Sequence, residues 1–304
     1  MITNAGVNDK NEVYEIWKHT CSIMDRSELN HYFKNIYDQG STIVVNQDDR
    51  IISTIHFQSH VMTFKKKRLC MNYLLGMATL PDYRMRGHMG ELMDSVMDES
   101  SHRYLFTVMK AFHPQLYEKF GFETVCWHKQ YHISAKAFSK IDSQGVSRRF
   151  TAQELLGIYE QFTAHFDGYM IRDLAYYEQL IQRSLGGSLR LCVFRNEQDE
   201  IRGYAFYQEN ETEVEVREIM YLDSVALGKM LRFIIRMRDY ITVNTSTSEK
   251  LEKMFPMAIP KRVPFLMAKL HQKELFNKLY GVQINNAKEA FQLLDKPMYY
   301  NEDY

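Results

Sequence analysis

The chain has 304 residues, 45% of them hydrophobic and 25% charged, with 38 Lys+Arg balanced by 38 Asp+Glu. At roughly 100–200 residues per domain this length points to two domains, and the zero formal charge argues against a general nucleic-acid binder, which carries a basic excess. No run approaches the ~18 apolar residues of a membrane span. The N-terminus shows no basic segment followed by an apolar one, so no signal peptide is read there. Four scattered cysteines, Cys21, Cys70, Cys126 and Cys192, never form a CxxC pair. Neither a disulfide framework nor a structural zinc site is expected, and a cytoplasmic protein without metal or membrane partner is the default reading.

In chain order, the first 30 residues read as helix, with Asn8 as a cap and Val13, Ile16 and Trp17 at helical spacing. A second helix is expected from Ser27 to a stop at Gly40. The period then changes. Thr42–Asn46 and Ile51–His60 read as strands around an Asp48-Asp49 turn, and Arg68–Leu80 as one or two more. The run Lys65–Arg68 reads as a hairpin tip. Residues 81–102 return to helix, with Met85, Met89, Leu92, Met93, Val96 and Met97 as the stripe that packs on a sheet. A short strand at Tyr104–Met109, a short helix from Pro114 to Gly121 and a strand at Glu123–Ser134 follow.

Polar residues 135–150 read as a domain boundary. Beyond them Thr151 and Glu154 form a capping box for a helix, and Asp173 caps another that runs to Gly186-Gly187. Three strands are expected at Leu189–Arg195, Ile201–Glu209 and Glu213–Leu222. A helix bearing Leu227, Met230, Leu231, Ile234 and Ile235 comes next, then a strand at Ile241–Thr245 and a short helix at 248–254. This order repeats that of the first half. The tail has a strand at Phe265–Leu270, helices near Lys273–Tyr280 and Ala287–Leu294, and an aromatic end, Pro297–Tyr304, that reads as docked. The whole predicts an α/β (α+β) protein of mixed, mostly antiparallel sheets covered by helices, divided as 1–134, 135–259 and a short C-terminal segment 260–304.

The most informative stretch is Leu74–Met93. A buried strand enters a basic, glycine-containing loop, and the loop enters a helix. Helix N-terminal amides are unpaired and carry partial positive charge. Gly87 and Gly90 let a phosphate approach them, and Arg84 and Arg86 add charge. The loop has neither the GxxxxGK nor the GxGxxG pattern.

The segment Pro81-Asp82-Tyr83-Arg84-Met85-Arg86-Gly87-His88-Met89 resembles the pyrophosphate loop of the GNAT superfamily of N-acetyltransferases, except that Met89 stands where Gly or Ala is usual. Leu116-Tyr117-Glu118-Lys119-Phe120-Gly121-Phe122 resembles a second hallmark of the superfamily. A large apolar residue after R-x-R-G is similar to the Eis-like acetyltransferases, which carry a second, degenerate GNAT-like domain. Gly168–Arg172 with Tyr176-Tyr177 resembles that domain, and Phe265–Lys269 the start of the family's third region. The stretch after Pro260 is much shorter than the family's sterol-carrier-like domain, so the chain resembles a shortened member.

The resemblance implies tandem GNAT folds and acetyl-CoA as co-substrate. Met77, Ala78 and Thr79 would pair with the pantetheine arm. Arg84, Met85, Arg86, Gly87, His88, Met89 and Gly90 would hold the pyrophosphate. Tyr117 would be the general acid for the departing thiolate, and the Tyr304 carboxylate would accept the amine proton, with His56 and His113 as alternatives. The stretch Leu222–Met230 lacks the loop motif, so the second domain is expected to bind no CoA and to wall the acceptor cleft. The implied acceptor is a primary amine on a small molecule or a lysine: a polyamine, an aminoglycoside-like antibiotic or a lysine side chain. Homo-oligomeric assembly stays open. So do two rival readings, a non-catalytic CoA- or ligand-binding module and a transferase of a longer acyl group.

Overall fold

The computed structural model describes residues 1–20, 24–110, 113–186, 188–236 and 238–302. The chain opens with a strand where helix was expected. β1 (Ile2–Asn4) pairs antiparallel with β2 (Thr42–Gln47), Ile2 opposite Val45. Three residues are too few to show a period, and the partner lies forty positions away. α1 (Lys10–Thr20) buries Val13, Ile16 and Trp17 as read. α2 (Arg26–Asn35) begins at Asp25, not Ser27, because Asp25 and Glu28 form a capping box. It ends well before Gly40.

β2, β3 (Arg50–Phe64) and β4 (Lys67–Thr79) form an antiparallel meander. Its turns, Asp48-Asp49 and Lys65-Lys66, have positive φ at both central residues, the two-residue hairpin geometry that matches strand twist. β4 is one long strand. α3 (His88–Arg103) starts later than residue 81, since Pro81–Tyr83 forms a 3-10 turn and Gly87 sits at φ +91°. Met85 therefore leaves the expected stripe. It lies in the loop at φ +60° and is fully exposed. β5 (Phe106–Met109), α4 (Gln115–Glu118) and β6 (Glu123–Ser134) complete the first half.

The second half comprises β7 (Val146–Ser147), α5 (Ala152–Thr163), α6 (Leu174–Gly186), β8 (Leu189–Arg195), β9 (Ile201–Glu209), β10 (Glu213–Tyr221), α7 (Ser224–Ile235) and β11 (Tyr240–Ser246). The expected caps are present: Thr151 and Glu154 close a capping box, and the Tyr176 amide donates to Asp173 Oδ1 over 2.9 Å. The helix expected at 248–254 is only a 3-10 turn, Leu251–Lys253. β12 (Lys261–Leu270), α8 (Lys273–Tyr280) and α9 (Ala287–Phe291) form the tail.

Among the described residues all twelve strands form one sheet, in the order β1-β2-β3-β4-β5-β12-β6-β11-β10-β9-β8-β7. Each half is a meander, a crossover helix and a parallel strand: β4 with β5 across α3, and β10 with β11 across α7. The last strands are exchanged. β12, late in the chain, pairs with β5, while β6 of the first half pairs with β11, and β12 and β6 pair with each other. The C-terminal segment is thus part of the first half's sheet and no appendage.

Helices cover both faces of each half, which explains why the central strands read as continuous apolar runs and not as alternation. In the first half, Trp17, Leu29 and Phe33 of α1 and α2 pack on one face with Val44 and Ile51. Leu92, Met93 and Val96 of α3 pack on the other with Ile43, Val45 and Ile52. In the second half α5 and α6 take one face and α7 the other.

One irregularity shapes the first half. Between the pairs His56–Leu75 and Thr54–Ala78, β3 has one residue and β4 has two, Gly76 and Met77. This β-bulge has Gly76 at φ +60°. A Cβ on Gly76 would stand 1.6 Å from Trp17 Cζ2. Trp17 Nε1 donates to Thr54 Oγ1 over 3.1 Å, and Thr54 Oγ1 to the Gly76 carbonyl over 3.1 Å. The indole is therefore fixed where any side chain at 76 would go. We predict that Gly76→Ala costs about 2–4 kcal/mol, from overpacking and left-handed strain together. Urea unfolding checks this, and a loss below about 0.5 kcal/mol would contradict it.

Candidate active site

β5 pairs with β4 from Asn72 to Leu74, opposite Met109 where β5 itself ends. Past that point the last residues of β4 line a groove of about 610 Å³. Met77, Ala78, Thr79, Arg84, Met85, Gly87, His88, Met89 and Gly90 line it, together with Ile55, Leu92, Leu116, Lys119 and Phe120. Ser53 Oγ lies 2.7 Å from Thr79 Oγ1 and donates to the Ala78 carbonyl over 3.0 Å, which holds the strand end extended.

Of the residues expected to hold a pyrophosphate, Arg86 is the one not in the lining. Its Nη2 donates to the Asp82 carbonyl over 2.8 Å, and its guanidinium lies 5.3 Å from the Tyr83 ring centroid. It braces the loop. Arg84 Nε also braces, donating to the Thr79 carbonyl over 3.1 Å. A Cβ at Gly87 or Gly90 would meet nothing within 4 Å. The first helical bond of α3 runs from the Glu91 amide to the Gly87 carbonyl, so the amides before Glu91 face this open space without intrahelical partners. His88 Nε2 is buried without a hydrogen-bond partner among the described residues. Open space, unpaired donors and an arginine loop suit a phosphate group.

Tyr117 sits on α4, whose N-cap is Pro114. It does not line the groove; its neighbours Leu116, Lys119 and Phe120 do. Its ring packs in the apolar cluster under α3, with Met77, Met89 and Phe120 also at the cluster's edge. Burial raises the phenol above its ordinary range. His113 is exposed. His56 is fully buried, 2.7 Å from Thr42 Oγ1 and stacked on Tyr37, and burial lowers its imidazole to about 4. A neutral ring enclosed by aromatics is poorly placed to exchange protons with solvent. Tyr304 lies outside the described residues.

The end of the tail is held tightly. Tyr299 joins the core under α5 and α6, and the Tyr300 carbonyl accepts from His128 Nε2 over 2.8 Å. Glu302 is buried against Arg172, accepting from Nε at 3.0 Å and Nη2 at 2.8 Å, and from the Tyr176 hydroxyl at 2.9 Å. Arg172 also forks onto Glu218, with Nη1 at 2.9 Å and Nη2 at 2.7 Å. Burial raises the Glu302 carboxyl, with Arg172 opposing.

Beside this network lies a second cavity, about 400 Å³, between the halves. α2 contributes Glu28 and His31, β3 contributes Gln58 and Ser59, and α6 contributes Tyr176 and Arg183. Arg217, Glu218 and Asn301 close it. The sequence reading missed these residues. One signal was present: in Val214–Met220 the alternation breaks at Arg217-Glu218, where a register shift turns the Glu218 carboxylate inward.

The equivalent helix of the second half is differently equipped. Asp223 caps α7, its Oδ1 accepting from the Ala226 amide over 2.8 Å and its Oδ2 from Arg202 Nε over 3.1 Å. A carboxylate already stands where a phosphate would have to sit.

Residues 2–125 and residues 168–266 each match a family model described as an acetyltransferase (GNAT) domain. No curated protein matches the sequence. Among solved structures the chain is similar to a probable N-acyltransferase from Enterococcus faecalis (TM-score 0.72, 16% identity, covering 91% of this chain and 74% of that one). It is also similar to a GCN5-related N-acetyltransferase from Anabaena variabilis (TM-score 0.70, 17% identity, 89% and 72%). A third likeness is to Eis1 from Mycobacterium abscessus (TM-score 0.66, 13% identity, 91% and 75%). At these identities the likeness is one of fold.

Two outcomes follow from this geometry. Gly90→Glu places a carboxylate in the open space before α3 without the positive-φ strain that Gly87→Glu adds. Calorimetry should show acetyl-CoA binding lost with the fold kept, and unchanged affinity would contradict the site. Arg172→Met leaves Glu218 and Glu302 buried without their cation and should cost about 3–5 kcal/mol in urea unfolding.

Proposed function

This chain belongs to the GNAT acetyltransferases, as two such domains in tandem of Eis-like type, and on that premise we propose that its first half transfers an acetyl group from acetyl-CoA to a primary amine. The observation that carries the reading is the groove formed where the end of β4, past the end of β5, leads into a helix N-terminus with two open glycines. The strand end at Met77–Thr79 offers an edge with no strand partner on the groove side among the described residues for an amide-bearing arm. The loop and the first turn of α3 offer amides and Arg84 for a diphosphate.

Acetyl-CoA supplies the acetyl group as a thioester, which a neutral amine attacks directly once held in place. No covalent enzyme intermediate is required. Tyr117 gives its phenolic proton to the departing sulfur as the carbon–sulfur bond breaks. A phenol raised by burial keeps that proton at neutral pH. The ammonium must lose a proton to solvent before attack. The cavity between the halves holds the body of the acceptor in this reading. β3 supports the link: Thr54 lines the groove, and Gln58, on the same face of the sheet, lines the cavity four residues, roughly 13 Å, further along the strand. With Asp223 at the start of α7, acetyl-CoA binding is confined to the first half.

Tyr117→Phe should bind acetyl-CoA normally and slow transfer about 100-fold, the usual scale for loss of an acid–base group. Steady-state CoA release measures this. A change within threefold would mean that Tyr117 only packs.

A further inference from the structure

The chain's formal charges cancel, but they are not evenly spread. Three segments pack together on one side of the sheet: residues 135–142, α7, and residues 250–262, which lead into β12. Phe255 lies 4.8 Å from Phe138, ring centroid to centroid, and Met254 packs on Gly228 of α7. The first segment carries Lys136 and Lys140, both exposed. Residues 224–236 carry Lys229, Arg232 and Arg236 and no acidic residue. Lys250, Lys253, Lys261 and Arg262 are exposed and form no ion pair among the described residues. The acids of these segments are already paired. Asp142 Oδ1 accepts from Lys229 Nζ over 2.7 Å. Glu252 accepts from Lys129 Nζ over 3.4 Å and from the Tyr131 hydroxyl.

The last segment also carries an apolar tip. Met257 and Ile259 are 93% and 85% exposed, while Phe255 and Ala258 are buried and anchor the loop. Single exposed apolar residues are ordinary, but two together, rimmed by unpaired cations, mark an interaction site. The backbone of the tip suits an apolar medium. Pro256 and Pro260 have no amide hydrogen, and the Ala258 amide donates to the Phe255 carbonyl over 2.9 Å. Few backbone donors would lose water there. A second copy docked through the same loop would bring like charges face to face. An anionic lipid surface meets both features, with acyl chains for the tip and phosphates for the rim.

We propose that residues 250–262 dock this chain on an anionic membrane surface, with Met257 and Ile259 entering the boundary between headgroups and acyl chains and the surrounding Lys and Arg side chains binding lipid phosphates. No helix among the described residues is long and apolar enough to cross a membrane. The attachment is therefore peripheral, and one short apolar tip with a basic rim makes it reversible.

Co-sedimentation of the full chain with lipid vesicles tests this, at about 0.1 M salt, where charges are screened beyond about 10 Å. Vesicles with about 30% phosphatidylglycerol should bind the protein at least about tenfold better than vesicles of phosphatidylcholine alone. The double variant Met257→Gln/Ile259→Gln should weaken that binding about tenfold, with acetyl-CoA affinity and CoA release unchanged. Lys253→Gln/Lys261→Gln should weaken it by a similar factor. In Met257→Trp, lipids brominated near the top of the acyl chain should quench the new indole. Failure to bind anionic vesicles overturns the proposal and leaves the basic face to an acidic protein. Binding that survives Met257→Gln/Ile259→Gln also overturns it, because only charge would then be at work. So does a wild-type oligomer, seen by sedimentation velocity, that the same double variant dissociates, since the tip would then belong to a contact between copies.

Discussion

The contact of Trp17 with Gly76 is the constraint on which the rest of the first half depends. A glycine at φ +60° lets the indole lie against the backbone of β4. The indole in turn holds Thr54, and Thr54 holds the Gly76 carbonyl. This clamp fixes an extra residue in β4 and re-aims the strand end. β4 runs on past Met109, where β5 ends, and among the described residues Met77–Thr79 have no strand partner on that side. Local strain is placed where an open edge is needed.

The exchange of β6 and β12 supplies the second condition. Each half on its own would end in a bare strand edge beside β5 or β11, a hazard for association. Trading the last strands covers both edges and makes one sheet of twelve strands. It also brings the tail back over the first half, where α8 and α9 pack on the β3–β4 hairpin. From there the chain reaches Arg172, and Glu302 joins Glu218 in one buried ionic cluster. The halves are thereby held with α2 facing α6, joined by Glu28 and Arg183. The cavity between them is a consequence of that fit.

Much of this was legible in the residues, and the failures have physical reasons. Elements set by local chemistry were readable: the Thr151 capping box, the Asp173 cap, the Asp48-Asp49 turn, and the strand Glu123–Ser134. The loop from Pro81 to Gly90 was readable as the passage from strand to helix because glycine and proline act on the local backbone. Elements set by distant partners were not. Ile2–Asn4 is a strand only because β2 accepts it. Met85 matched the helical stripe, but the loop backbone holds it in solvent. Strand exchange leaves no periodic mark, so the place of Lys261–Leu270 inside the first half's sheet was invisible. The cavity residues Glu28 and His31, Arg183, and Glu218 come from three segments far apart in sequence, and each reads alone as a surface polar residue. Only the broken alternation at Arg217-Glu218 hinted that one of them turns inward.

The central claim is that the end of β4 past β5 and the first turn of α3 together receive acetyl-CoA. Hydrogen–deuterium exchange with and without acetyl-CoA tests it most directly, since it reads the backbone amides themselves. The account predicts slowed exchange in two stretches, Met77–Thr79 and Gly87–Glu91, with little change at the start of α7 near Asp223. Protection at α7 without protection in those two stretches, or none anywhere at saturating acetyl-CoA, would contradict it.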